Sequence, residues 1–293
     1  MKICFASIIG RPNVGKSSLL NAIIGYNVAI VTDVAQTTRD QITGIYTDDE
    51  YQIIFTDTPG IHKPLNKLGE HLNKSAYDTF KDIDVLLFLT PADQELGSGD
   101  EMILEKIKDV KNKVAVISKV DKVKSQPEKI IAKVDQLNKY NFNHIISTDV
   151  NNSKSINDVI KLIKSYAYEG KAQYDEDYLT DKSMRFLAKE IIREAAINAL
   201  REELPHSIAV EVTEFVESDE HFDIDGIIYV KKASQKGMVI GAGASKIKEI
   251  GKNARIKMMH QFGVSVTLNL TVKIAKKWID DEKTLSKFGY GRG

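Results

Sequence analysis

Residues 10–17 read GRPNVGKS, and no other stretch restricts this chain as strongly. The octapeptide fits the pattern GxxxxGK[ST]. It follows the apolar run ICFASIIG and opens the helical pattern KSSLLNAIIG. A strand, a Gly-rich loop and a helix start, in that order, build a phosphate cradle. The glycines let the backbone curl so that successive N–H groups face an anion, and the helix N-terminus adds a favourable dipole. Gly10, Arg11, Pro12, Asn13, Val14, Gly15, Lys16, Ser17 and Ser18 are therefore the expected phosphate-binding run. In this setting Lys16 reaches the β- and γ-phosphates and Ser17 ligates magnesium.

Four later motifs fall in the order such a cradle requires. DTPG, at Asp57, Thr58, Pro59 and Gly60, ends an apolar strand about forty residues downstream. It is expected to hold magnesium through water at Asp57 and to offer the Gly60 N–H to a γ-phosphate. AQTTRD, at 35–40, lies between the two and supplies a Thr for the magnesium shell. Thr38 is preferred over Thr37, the bland alternative being an exposed loop hydroxyl. Such a loop orders and disorders with the nucleotide in known switches. VISKVD, at 116–121, ends another apolar strand. There Asp121 would accept from the guanine N1–H and amino group, which adenine does not present in that geometry. The stem of Lys119 would cover the base beside Ser118. In IIST, ending at Ser147 and Thr148, the Thr148 N–H is expected to donate to the guanine O6.

Strand-like runs alternate with helical patterns through residue 168, which predicts a mostly parallel sheet with helices on both faces. Residues 169–182, polar and acidic without periodicity, read as a linker. Residues 183–293 form a second, α+β module. It comprises an amphipathic helix, two alternating strands, a Gly-rich turn, a further helix and a strand. The opening MKICFASIIG reads as a first strand and not a signal peptide. Its single cysteine, Cys4, forms no internal disulfide, so a cytoplasmic protein is the simple expectation. The six histidines show no metal-ligand spacing.

Formal net charge is zero, yet Gly226–Ile279 holds eleven Lys/Arg against one acid, Glu249, a net +10. A polyanion partner is the expectation, and a solvated basic surface the bland alternative.

The set GRPNVGKSSLLNAIIG, AQTTRD, DTPGIHKP, LPHS and the C-terminal module, through the closing WIDDEKTLSKFGYG, resembles the Era family of translation-factor-class P-loop GTPases over nearly the whole chain. The resemblance implies GTP and GDP as ligands, hydrolysis of GTP and a type II KH domain. It further implies that this domain binds the 3′ end of small-subunit ribosomal RNA, and that the protein assists small ribosomal subunit biogenesis, with a monomer expected. KH domains clamp about four nucleotides at a GxxG loop. Here that loop is Gly241, Ala242, Gly243 and Ala244, so Ile240 and the lysines Lys232, Lys236, Lys246 and Lys248 are the implied RNA contacts. The family also links Asn13 to a potassium ion beside the phosphates.

Four positions depart from the pattern or limit it. Thr148 stands where the family usually has Ala, which leaves the expected backbone donor in place. Ser118 stands where the family has Asn, which predicts guanine specificity retained through Asp121 with affinity lowered about threefold to tenfold. Ala244 stands at the second Gly of the loop. Ile61 follows Gly60, where Ras-like enzymes place a water-orienting Gln. Slow intrinsic hydrolysis is expected, with potassium at Asn13 as stimulant and Arg11 or Arg39 as alternative cations. Two other classes stay open: a P-loop ATPase with relaxed base selectivity, and a signalling or membrane-peripheral switch whose basic surface meets lipid or protein.

Overall fold

The computed structural model describes residues 1–80 and 82–290. The chain divides into two compact units, one of residues 1–29, 38–65 and 69–181, the other of residues 30–37, 66–68 and 182 onward.

The first unit contains β1 (Lys2–Ile9), α1 (Lys16–Ile24), β2 (Ile42–Thr47), β3 (Tyr51–Asp57), all but the first two residues of α2 (Lys67–Asp78), β4 (Val85–Pro91), α3 (Ser98–Lys106), β5 (Lys113–Ser118), α4 (Pro127–Leu137), β6 (His144–Ser147), α5 (Ser153–Lys164) and β7 (Tyr168–Glu169). Its sheet runs β2-β3-β1-β4-β5-β6, with β7 paired to β1. The β2–β3 pair is antiparallel; β1, β3, β4, β5 and β6 are parallel neighbours. β4 and β5 are buried throughout, as strands covered on both faces must be. Their parallel course brings the C-terminal strand ends, and so the expected motifs, to one edge of the sheet, where open α/β sheets bind ligands.

The acidic segment after β7 is hydrogen-bonded to this unit. Gln52 accepts from the N–H groups of Gln173 (2.7 Å) and Tyr174 (3.1 Å). Farther along, the Ile45 N–H donates to Leu179 O at 2.9 Å, and Thr180 Oγ1 donates to Thr43 O at 2.6 Å. Both of those strand residues belong to the edge strand β2.

The second unit contains α6 (Met184–Ala199), α7 (Leu204–Ser207), β8 (Ala209–Glu217), β9 (His221–Val230), α8 (Ala233–Ile240), α9 (Ser245–Phe262), β10 (Ser265–Ile274) and α10 (Glu282–Lys287). The sheet order is β10-β9-β8, β8 antiparallel and β10 parallel to β9. α6 starts at Ser183, whose side chain accepts the Phe186 N–H, a hydroxyl N-cap. The core gathers Ile192, Ile224, Ile228, Val239, Ile250 and Met258. Trp278 is fully buried and donates to Ser207 O at 3.0 Å, fixing the chain after β10. Gly291, the last residue of WIDDEKTLSKFGYG, lies outside the described residues. Among the described residues no helix is long and apolar enough to cross a membrane.

Candidate functional site

The phosphate loop leaves β1 at Gly10 and enters α1 through Gly15, whose backbone is left-handed (φ 102°) and whose position carries no side-chain cap. The first N–H groups of α1 are thus available to an anion. Lys16 is buried, and its ammonium donates to Gly10 O (3.2 Å) and Arg11 O (2.9 Å). Burial pushes its pKa down to about 8, with nearby Asp57 opposing the shift. Asp57, fully buried at the end of β3, is pushed up to about 6 by burial, against the pull of Lys16 and the Ser17 hydroxyl.

Ser17, Thr38 and Asp57 converge. Ser17 Oγ donates to Asp57 Oδ2 at 2.6 Å and lies 2.9 Å from Thr38 Oγ1. Asp57 Oδ1 is buried without a hydrogen-bond partner. A buried carboxylate oxygen left over beside two hydroxyls is a donor set that suits a hard dication such as magnesium. Thr37 is turned to other duty: its hydroxyl donates to Val34 O at 2.6 Å and lies 2.5 Å from Thr32 Oγ1.

DTPG folds onto the phosphate loop. A Cβ on Gly60 would stand 2.6 Å from Pro12 N, so only Gly permits this approach. The next N–H, of Ile61, donates to Gly10 O at 3.2 Å, and Thr58 Oγ1 donates to Ile8 O at 2.9 Å. Ile61 is not an exposed loop residue. It is fully buried, in the cluster with Ile9, Ala76 and Phe88.

The end of β5 holds the other side of the loop. Ser118 Oγ donates to Val14 O at 2.6 Å. Lys119, in a left-handed conformation (φ 56°), donates from Nζ to Asn13 O at 2.6 Å. Asp121 is exposed in the turn Val120–Val123 that follows. The expectation for Thr148 needs correction. Its N–H donates to Ile117 O at 2.8 Å, extending the β5–β6 ladder one rung past Ser147, so the donor assigned to the guanine O6 is already engaged. The two alternative cations are also fixed in place. Arg11 Nε meets the buried carboxylate of Asp100 at 2.8 Å, and Arg39 is buried, not solvated.

In the second unit α8 ends at Gly241 (φ 75°), where a Cβ would meet Lys246 N at 2.8 Å. A turn, Ala242–Ala244, then leads into α9. Ala244 keeps the backbone a Gly would take: φ is 61° and ψ 24°. Gly243, also left-handed (φ 57°), has open space around it. Lys232 and Lys248 are exposed, Lys236 is half-buried, and Lys246 pairs with Glu249 at 2.8 Å. Ile240 is half-buried and packs against the core of the unit. The α9 N-terminus carries no acidic residue and no side-chain cap, leaving a positive end beside these lysines.

A family model described as "50S ribosome-binding GTPase" matches residues 5–122, and one described as "KH domain" matches residues 203–279. GTPase Era of Mycoplasmopsis agalactiae is 62% identical over 290 residues, 99% of this chain and 100% of that protein. The chain belongs to the Era family of GTPases. GTPase Era of Staphylococcus haemolyticus is 42% identical, with 98% of this chain and 96% of that protein covered. A crystal structure of Era in complex with MgGDPNP and nucleotides 1506-1542 of 16S ribosomal RNA superposes at TM-score 0.93 with 34% identity, covering 99% of both chains. A variant of Aquifex aeolicus Era bound to GDP·AlF4− superposes at TM-score 0.92, also with 34% identity and 99% coverage of both chains. The Era fold thus accounts for both units, a P-loop GTPase domain and a KH domain.

One contact of this Era-family site went unread in the sequence. His62 and Asn73, eleven positions apart, bracket the loop after Gly60. An Asn side chain bonded to a distant main chain leaves no periodic signal.

Proposed function

We propose that this Era-family chain is a GTP-hydrolysing switch that binds the 3′ end of small-subunit ribosomal RNA and assists assembly of the small ribosomal subunit in the cytoplasm. The observation that carries the reading is the full-length similarity to Era in complex with MgGDPNP and 16S ribosomal RNA. Under this proposal residues 10–18 cradle the phosphates. Lys16 exchanges the carbonyls of Gly10 and Arg11 for phosphate oxygens, which favour its charged form. Ser17, Thr38 and Asp57 hold magnesium, which when bound neutralises charge on the β- and γ-phosphate oxygens. The Gly60 N–H meets the γ-phosphate, and Asp121 selects guanine with Lys119 over the base. In the KH unit the turn at 241–244 approaches the RNA backbone, while Lys232, Lys236, Lys246 and Lys248 meet its phosphates.

Potassium completes the proposal. Ile61, where a water-orienting side chain would stand, is buried, while Asn13 is exposed at the tip of the phosphate loop. A cation held at Asn13 would help neutralise charge developing on the phosphates, as an arginine finger does. Equal turnover in sodium and potassium buffers would remove this part.

The deciding experiment is equilibrium binding of GDP, GTP, ADP and ATP with magnesium, alongside titration of the 3′-terminal RNA segment. Much tighter binding of guanine than of adenine nucleotides, and RNA affinity that falls with salt, are expected. Comparable ADP and ATP binding, or stronger binding to anionic vesicles than to this RNA, overturns it.

A further inference from the structure

The Gly60 carbonyl is held by one side chain, and a second side chain holds that residue in turn. The His62 ring places Nδ1 3.1 Å from Gly60 O. A carbonyl only accepts, so this contact puts the ring proton on Nδ1. The same peptide unit is held at its other end, since the Ile61 N–H donates to Gly10 O at 3.2 Å. His62 is in turn clamped by Asn73, on α2. Asn73 Oδ1 accepts the His62 N–H at 3.3 Å, and its amide nitrogen donates to His62 O at 2.6 Å. The amide thus serves both main-chain groups of one residue, as a neighbouring strand would. Asn73 is 8% exposed, so these bonds lie in a site where an unpaired amide is costly. Gly69, also on α2, leaves the ring its space: a Cβ there would lie 3.3 Å from Nε2. Ile61, between Gly60 and His62, is fully buried and offers no polar group from its side chain.

We propose that His62 and Asn73 are positioning residues for GTP hydrolysis: by holding the Gly60–Ile61 peptide through the line α2–Asn73–His62–Gly60, they set the adjoining Gly60 N–H for the γ-phosphate. This rests on the proposal that the Gly60 N–H meets that phosphate. The effect is confined to the triphosphate state. Losing one bond of this line loosens the γ-phosphate contact and leaves the diphosphate cradle of residues 10–18 intact.

The test uses the full chain with magnesium and compares His62→Ala, His62→Asn, Asn73→Ala and Gly60→Ala. Affinities for GDP and for a non-hydrolysable GTP analogue are measured together with single-turnover hydrolysis. His62→Ala and Asn73→Ala should bind GDP as the parent does. Their analogue-to-GDP affinity ratio should fall about threefold to tenfold, the loss expected for one hydrogen bond, and hydrolysis should slow. His62→Asn, whose amide can donate to the same carbonyl, should restore the ratio to within about twofold; a merely structural role would not show this rescue. The proposal is overturned if Gly60→Ala lowers the ratio while both alanine variants at 62 and 73 keep it. An unchanged ratio in Gly60→Ala overturns the assignment of Gly60 itself, and the proposal with it. If Asn73→Ala does not fold, the His62 pair alone decides.

Discussion

Ser118 donates its hydroxyl proton to the main-chain oxygen of Val14 at 2.6 Å, tying the end of β5 to the phosphate loop. A hydroxyl has one proton, and Thr90 O, at 3.4 Å, is a poor second acceptor. The residue in the Asn position therefore keeps the loop contact and has no proton left for a base.

Ser118→Ala is accordingly expected to weaken GDP and ADP alike, by about threefold to tenfold for one lost hydrogen bond. The ratio between them should stay put. Asp121→Ala should instead bring the ratio towards one, and Ser118→Asn, with two amide protons, should tighten guanine nucleotides. Parallel titrations of the four purine nucleotides on each variant check all three.

Ala244 carries a Cβ in a left-handed conformation (φ 61°). That costs on the order of 1 kcal/mol. Ala244→Gly relieves the strain while adding freedom to the unfolded chain, so a gain of up to about 1 kcal/mol in unfolding free energy is expected. Denaturant titration measures it. RNA affinity should hold, since the turn already has the shape a Gly would take.

Lys248 is exposed beside that turn. Replacing it by Ala should weaken RNA binding at low salt and make the slope of log affinity against log salt shallower by about 0.7, the value for one single-strand phosphate contact. An unchanged slope would place Lys248 off the RNA path.

Cys4 is fully buried, and burial, with Asp84 second, pushes its thiol pKa from 9.0 up to about 12. The native thiol should resist alkylation at pH 8, where only unfolded chains react. Between pH 9 and about 12 the unfolded state ionises first, so it binds fewer protons than the native state. Stability from this group is thus intact below pH 9 and lost at about 1.4 kcal/mol per pH unit above it. Cys4→Ala should flatten that part of the stability–pH curve.

The strands that matter most were legible because they are buried on both faces and read as unbroken apolar runs ending in polar motifs. β2 is far less legible as a strand: ITGIYT carries a glycine and two threonines and is only partly buried. The convergence of Ser17, Thr38 and Asp57 followed from motif order. What the side chains do once there did not. Whether the Thr148 N–H faces a base or a carbonyl depends on how far one ladder extends, and one rung decides it. The clamp of Asn73 on His62 joins a helix side chain to loop main chain, a pairing that neither hydrophobic period nor turn chemistry encodes.

The bonds from Leu179 and Thr180 to β2 bear on how the chain behaves when cut. An outer strand with bare N–H and C=O groups is a template on which another molecule's strand can add. Here residues 179–180 occupy part of that template from within the same polypeptide. A fragment stopped at residue 168 would keep every residue of the phosphate site yet lose this cover. Its hazard would be edge-to-edge self-association, a loss of solubility and not of chemistry.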